Sequence, residues 1–269
     1  MTYDPPGPSS ERALAHMTWP SVPPDALVLV PLGSTEQHGP HLPFNTDSVI
    51  AAAVAHRVAD LLPTPPGSTP LVAPALVYGA SGEHADFPGT LSIGHVALHA
   101  VIVETTRSLG RWARRVVFVN GHGGNTATLD AAVAQVRAEG HDAAWTGCDV
   151  PGGDSHAGRT ETSVMLHLAP ERVRLGAAVA GNPRPLTDLM PELMAHGVRA
   201  VSPTGVLGDP TGATAEEGRR TTEAMVSAVL RRISTPTVDD RGRLVDLASH
   251  AAPPNTSTAA PPETERMSR

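Results

Sequence analysis

The sequence predicts an α/β protein built on a mainly parallel β-sheet. Short apolar runs rich in branched residues alternate with stretches of helical periodicity, which is the pattern of βαβ units. Polar turns follow several of these runs, where open α/β sheets place their ligands. With 269 residues, the chain is long enough for one large domain that buries roughly 70–75% of its unfolded surface. It needs neither disulfides nor a structural metal to fold.

Residues 26–30 form the first expected strand. A helix follows over about 48–62, where Ile50, Val54, Val58 and Leu61 make one apolar face, and Pro63, Pro65 and Pro66 end it. Residues 71–77 read as the next strand, and a glycine-rich loop over 78–89 leads to a helix over about 94–112 striped by Leu98, Ile102, Leu109 and Trp112. Residues 116–119 are a buried strand; after the tight turn 121–125, Leu129, Val133 and Val136 mark a helix, and 143–148 a short strand. From 182 to 210 the periodicity is broken by Pro183, Pro185, Pro191, Pro203 and Pro210. This stretch is expected to be a largely irregular excursion with a short helix over 186–196, and to form a substrate-selecting wall. A last helix is expected over about 215–233. One domain thus spans 17–233, between a flexible N-terminus at 1–16 and a disordered tail at 234–269, where Pro, Thr, Ser and Ala replace apolar periodicity.

Composition removes several function classes. A net charge of −7 without a clustered basic stripe argues against nucleic acid as a partner. All 20 basic residues are Arg, so lysine-nucleophile and Schiff-base chemistry are impossible. Cys148 is the sole cysteine, which excludes an internal disulfide and fits a reducing compartment; it reads as an inert buried thiol. The first ten residues lack the basic and apolar regions of a signal peptide. No apolar run approaches the roughly 20 residues of a membrane span. The expected location is the cytoplasm, with no membrane partner.

Three polar clusters stand at strand ends. In the first, Glu36 and His38 are two apart, so an extended backbone projects both to one side, and Asp47 opens the following helix. Asp47 alone would read as a helix cap. Three potential ligands within twelve residues, wrapped by Gly33, Gly39, Pro40 and Pro43, are more than caps and turns explain. The second cluster, residues 120–125, holds His122 among glycines that let a backbone come close to a ligand. A phosphate loop is the competing reading, but no GxxxxGK pattern is present. The third, residues 154–163, holds His156, a candidate proton donor, and Glu161, which a helix dipole alone would also favour.

Mixed carboxylate and imidazole donors suit zinc, manganese or iron(II), one or two ions per subunit, with Asp47 able to bridge. Such ions lower the pKa of water towards 7 and polarise a carbonyl, which is what attack on an unreactive amide requires.

Together these clusters resemble the creatininase family. The resemblance runs from about 17 to 233 and includes Thr18-Trp19-Pro20, the stretch from Gly33 to Asp47, Glu83-His84 with Phe87-Pro88-Gly89-Thr90, the NGHGGN turn, Glu161-Thr162-Ser163, and residues 205–210. It implies a three-layer α/β/α sandwich, a homo-oligomer, and a dinuclear site whose ligands map to Glu36, His38, Asp47, His122 and an additional Glu. In creatininase proper that Glu lies two residues after the turn histidine, where this chain has Gly124. Glu161 is the expected substitute, and the departure counts against creatinine as substrate. Glu83, His84 and Asn125, within the matching motifs, are expected on the substrate side, as is Arg159, which could recognise a peptide carboxylate. Residues 81–84, the NGHGGN form and 208–214 look most like a branch that trims a modified, ribosomally made precursor of a redox cofactor, releasing a C-terminal Val-Tyr dipeptide. A small creatinine-like or formamide substrate, and a non-catalytic metal-binding subunit, are the alternatives.

Overall fold

The computed structural model describes residues 11–63 and 69–246. Its centre is a parallel sheet of β1 (Ala26–Leu32), β2 (Leu71–Val72), β3 (Ala113–Asn120) and β4 (Ala143–Gly147) in the order β2-β1-β3-β4. All seven residues of β1 are buried, as they must be in a strand covered on both faces. On one face α2 (Gly94–Leu109) and α3 (Thr126–Ala138) pack over Val28, Val30 and Phe118. On the other α1 (Thr46–Leu61), α4 (Arg159–Leu168) and α7 (Ala215–Ser234) pack over Leu29, Val117 and Val119. The alternation of β1 and β3 side chains between the two cores produces a three-layer α/β/α sandwich.

Several boundaries differ from the sequence-based expectation, each for a local reason. The strand expected over 71–77 ladders only at Leu71 and Val72, because Pro74 cannot donate; a lone bridge from Leu76 to Leu32 continues it. Helix α2 stops at Leu109, capped by Gly110, and Trp112 joins the same core from the turn beyond. Pro63 follows α1 as expected, whereas Pro65 and Pro66 lie outside the described residues.

The flexible N-terminus and disordered tail also need correction where they are described. Ala13 is buried and bridges Val72 at the sheet's edge. Residues 237–245 form an antiparallel hairpin of β5 (Thr237–Val238) and β6 (Leu244–Val245), which sends Leu244 into the core under α1 and α7. The remainder of both segments, 1–10 and 247–269, lies outside the described residues.

Within the excursion, α5 (Leu186–His196) and α6 (Val198–Val201) bury Leu189, Leu193, Val198 and Val201 against Leu207 and Phe87, a satellite core of their own. Helix α7 is capped by Thr214, whose hydroxyl accepts from the Glu217 amide, and carries Arg231 and Arg232 in its last turn, where cations suit the helix dipole. Among the described residues no helix is long and apolar enough to cross a membrane.

Candidate metal centre

The C-terminal ends of β1 and β3 lie side by side, Leu32 opposite Asn120, so the loops that follow them meet above the sheet. The β1 loop carries Glu36 and His38, and its return into α1 brings Asp47; the β3 loop carries His122. These side chains are buried and converge. His38 Nε2 is 2.9 Å from Asp47 Oδ1, His122 Nδ1 is 3.3 Å from Asp47 Oδ2, and His122 Nε2 is 3.2 Å from Glu36 Oε2. Each oxygen of Asp47 therefore faces a different imidazole. Asp47 is not a cap: it is the second residue of α1, after Asn45 and Thr46, and its Oδ2 accepts from Ser34 Oγ at 2.6 Å.

Glu161 arrives from the first turn of α4, with Oε2 3.9 Å from His38 Nε2. Ala157 holds it by donating its amide to Oε2 at 2.6 Å, and does so from a left-handed backbone, φ 52°. A non-glycine residue tolerates that conformation only where its surroundings enforce it.

Two further imidazoles face Glu36 Oε1: His84 Nε2 at 3.3 Å and His156 Nδ1 at 3.7 Å. Gln37, which the sequence reading passed over, arranges both. Its Oε1 accepts from Gly39 N, which orients the amide, and its Nε2 donates to His84 Nδ1 at 2.8 Å and to the Gly205 carbonyl at 3.2 Å. The Gln37 carbonyl lies 2.9 Å from His156 Nε2 and can only accept, so Nε2 carries the proton and Nδ1 keeps its lone pair towards the cluster. Antiparallel bonds between His156 and Leu207 fix the backbone there.

The electrostatics of the cluster call for cations. Both Glu36 oxygens are buried without a hydrogen-bond donor. Burial lifts its carboxyl to about 7, with Asp47 adding to the rise against the pull of His122 and His38. Burial likewise lifts Glu161 to about 7. Burial pushes His38 and His122 down, but neighbouring carboxylates outweigh it, Asp47 foremost for His38 and Glu36 for His122, and each is raised to about 10. Burial and the nearby His38 depress His84 to about 3 and hold His156 well below its usual range. A buried acceptor without a donor costs about 1–3 kcal/mol, and more when charged. Donor atoms of Glu36, Asp47 and His122, of His38, His156 and Glu161, and of Glu36, His84 and His156 lie within 4.8 Å of one another in each trio. Such carboxylate–imidazole sets fit a divalent cation of the zinc or manganese kind.

Other expected residues fall differently. Glu83 Oε1 is 3.6 Å from His122 Nε2, at the rim of the cluster. Asn125 is fully buried and its amide is spent on Ala80 N, Gly33 O and Asn120 Oδ1, so it braces the loops and does not face a substrate. The Arg159 guanidinium is held through Nε and Nη2 by both oxygens of Glu217 on α7 at 2.8–2.9 Å, and Arg159 does not line the cavity beside the cluster. Cys148 is buried, and burial raises its thiol pKa, which suits an inert residue.

A cavity of about 390 Å³ opens beside the cluster, bounded by Asp47, His122, His156 and Glu161 and extending past β4 to Trp145 and Arg243. None of residues 182–210 lines it. The excursion instead acts on the cluster through backbone, Gly205 on Gln37 and Leu207 on His156.

A sandwich with buried carboxylates and imidazoles gathered at one sheet edge is the build of a metal-dependent amidohydrolase. The creatininase family profile, described as creatinine amidohydrolase, matches residues 15–233, and the chain belongs to that family. It is 52% identical over 238 residues to a mycofactocin precursor peptide peptidase of Mycolicibacterium smegmatis, covering 88% of this chain and 94% of that one. Among solved structures it resembles a manganese creatininase, with a TM-score of 0.66 and 28% identity over 84% of this chain and 99% of the other. A glutamate-to-glutamine creatininase variant of zinc–zinc type gives a TM-score of 0.66 and 29% identity over 84% and 98% of the respective chains.

Proposed function

We propose that this chain is the peptidase that matures the mycofactocin precursor, hydrolysing one amide bond of a modified, ribosomally made peptide to release its C-terminal Val-Tyr-derived dipeptide. The observation that carries the reading is the likeness to the Mycolicibacterium peptidase, which extends over nearly the whole of both chains and far exceeds that to the solved creatininases.

In this reading Glu36, Asp47 and His122 would hold one ion, and His38 and Glu161 would hold a second, the two-sided contacts of the Asp47 carboxylate leaving it within reach of both sets. When bound, zinc, iron(II) or manganese ions supply Lewis acidity, polarising a carbonyl and lowering the pKa of water. His84, whose Nδ1 accepts from Gln37, sets its Nε2 3.3 Å from Glu36 Oε1. His156, its Nε2–H tied to Gln37, has Nδ1 to take a proton from the attacking water and return it to the leaving amine. The products are a shortened peptide acid and a dipeptide amine, so atoms balance with water alone. A homo-oligomer is consistent with Trp19 and Val96, each 88% exposed.

The deciding experiment incubates the metal-loaded protein with the matured peptide and follows the dipeptide product by mass spectrometry, with creatinine and a formamidopyrimidine in parallel. Release of the dipeptide, abolished by chelator, is expected. Turnover of creatinine or the formamide with an intact peptide refutes the reading.

A further inference from the structure

Gln37 touches both imidazoles that face Glu36 Oε1, His84 and His156, whose ring centres lie 4.5 Å apart. Donor atoms of these two residues and Glu36 lie within 4.8 Å of one another, so by residue type alone the trio could hold an ion of its own. We propose that Gln37 is a positioning residue that prevents this: it keeps His84 off the metal as an N–H donor and leaves the lone pair on that side to His156. The inference rests on the metal-centre reading above and not on the identity of the peptide.

Main-chain groups, which have no choice of role, fix the orientation of the Gln37 amide. A peptide N–H can only donate and a peptide carbonyl can only accept. Gly39 N donates to Gln37 Oε1 at 2.9 Å, and Gly205 O accepts from Gln37 Nε2 at 3.2 Å, so exchanging the amide oxygen and nitrogen would lose both bonds. The clamp demands glycine at 205, where φ is +79° and a Cβ would overlap the Gln37 amide. The second proton of Nε2 goes to His84 Nδ1, 2.8 Å away. A neutral imidazole that accepts at Nδ1 carries its own proton at Nε2.

His84 Nε2 faces Glu36 Oε1 at 3.3 Å, and a protonated nitrogen has no lone pair for an ion. Glu36 Oε1 is without a hydrogen-bond donor, so this contact is not a bond, and Gln37 is the one described group hydrogen-bonded to the His84 ring. For His156 the same residue does the reverse. The Gln37 carbonyl takes the Nε2 proton at 2.9 Å, which leaves the lone pair on Nδ1, 3.7 Å from Glu36 Oε1. The 3.1 Å approach of Gln37 Nε2 to His156 Nε2 is then between two donors and holds no bond. Both rings carry the Nε2 proton, yet they show the cluster different atoms, because one meets the side chain of Gln37 and the other its main chain. A substitution at 37 can therefore release His84 without disturbing His156.

The test uses the full chain labelled with 15N-histidine, in which nitrogen chemical shifts separate the Nδ1–H tautomer, the Nε2–H tautomer and a zinc-bound nitrogen. His84→Gln and His156→Gln identify the two signals by their loss. In the wild type both rings should be Nε2–H tautomers without zinc and remain so at saturating zinc, while His38 and His122 acquire zinc-bound nitrogens. Gln37→Met keeps the main-chain carbonyl and removes the side-chain donor. In that variant zinc should turn His84 to the Nδ1–H tautomer with a zinc-bound Nε2 and leave His156 unchanged, and kcat on the matured peptide should fall about 10- to 100-fold at constant KM. An Nδ1–H or zinc-bound His84 in the wild type overturns the proposal, as does a folded Gln37→Met in which His84 keeps its Nε2 proton under zinc. Should Gln37→Met not fold, the wild-type spectra decide alone. A wild type that takes up no zinc sinks the metal centre as well, whereas one that binds zinc as expected and leaves the peptide intact sinks the peptidase reading only.

Discussion

Gly124 occupies the position where creatininase proper is expected to carry a metal-binding glutamate, and the structure shows why a side chain does not fit. A Cβ built there lies 2.5 Å from three atoms: the Ala80 carbonyl oxygen, Glu83 Oε1 and His122 Nε2. Only Glu83 is the free end of a flexible chain. The Ala80 backbone is held by Asn125, and His122 is wedged between Glu36 and Asp47. Gly124→Ala must therefore move a loop or the ligand. Overpacking of this kind costs about 1–3 kcal/mol, and a domain of this size loses about 2–4 °C of Tm per kcal/mol, so a fall of roughly 5 °C is expected. Displacing His122 should weaken metal binding on the scale of a lost supporting contact, about 10- to 100-fold. Gly124→Glu, although it restores the family's carboxylate, should do worse than Gly124→Ala on both counts. Thermal melts with and without metal, and metal titrations of the chelated protein, read these effects. A Gly124→Ala protein with unchanged Tm and metal affinity would refute the steric reasoning, and one that bound metal more tightly as Gly124→Glu would show that the loop adapts freely.

Three further outcomes are expected. Glu36, raised from 4.5 to about 7 chiefly by burial, favours the metal-free fold while protonated; that contribution is complete below about 4.5 and fades up to about 7, corresponding to about 3 kcal/mol. The metal-free Glu36→Gln variant should then lose less stability than wild type between pH 5 and 8, and superimposable pH–stability curves would count against it. Metal at one hundred times its Kd should stabilise the wild type by about 2.7 kcal/mol, a gain in Tm of roughly 5–10 °C that Glu36→Gln lacks; a chelated protein melting at the holoprotein's temperature contradicts the site. Arg159→Ala breaks a half-exposed pair with Glu217, worth at most about 1 kcal/mol, so its Tm should fall by less than about 4 °C and its KM for peptide should hold. A large rise in KM would return Arg159 to the substrate.

The difference between Arg159 and Arg243 shows what a sequence can and cannot reveal of such a site. Glu36, His38, Asp47 and His122 were legible because ligand type, strand ends and turn glycines coincide within short windows. Arg159 sits in an equally suggestive window, yet its charge is neutralised by Glu217, 58 residues later, on a helix whose packing against α4 no local pattern encodes. Gln37 was hidden for the same reason, since its role arises only when residues 47 and 168 positions away fold onto its side-chain amide and one 119 positions away onto its carbonyl. Arg243 was masked by composition: two-residue strands are too short for periodicity, and the neighbouring Pro and Thr suggest a tail. The Asp239-to-Gly242 turn was nonetheless a usable signal, because Asp before Gly between Thr-Val and Leu-Val marks a hairpin. What makes that hairpin matter is tertiary: Gly242 lets it lie against Val133 and Trp145, and the same contact that closes the sheet's edge carries a guanidinium to the cavity wall.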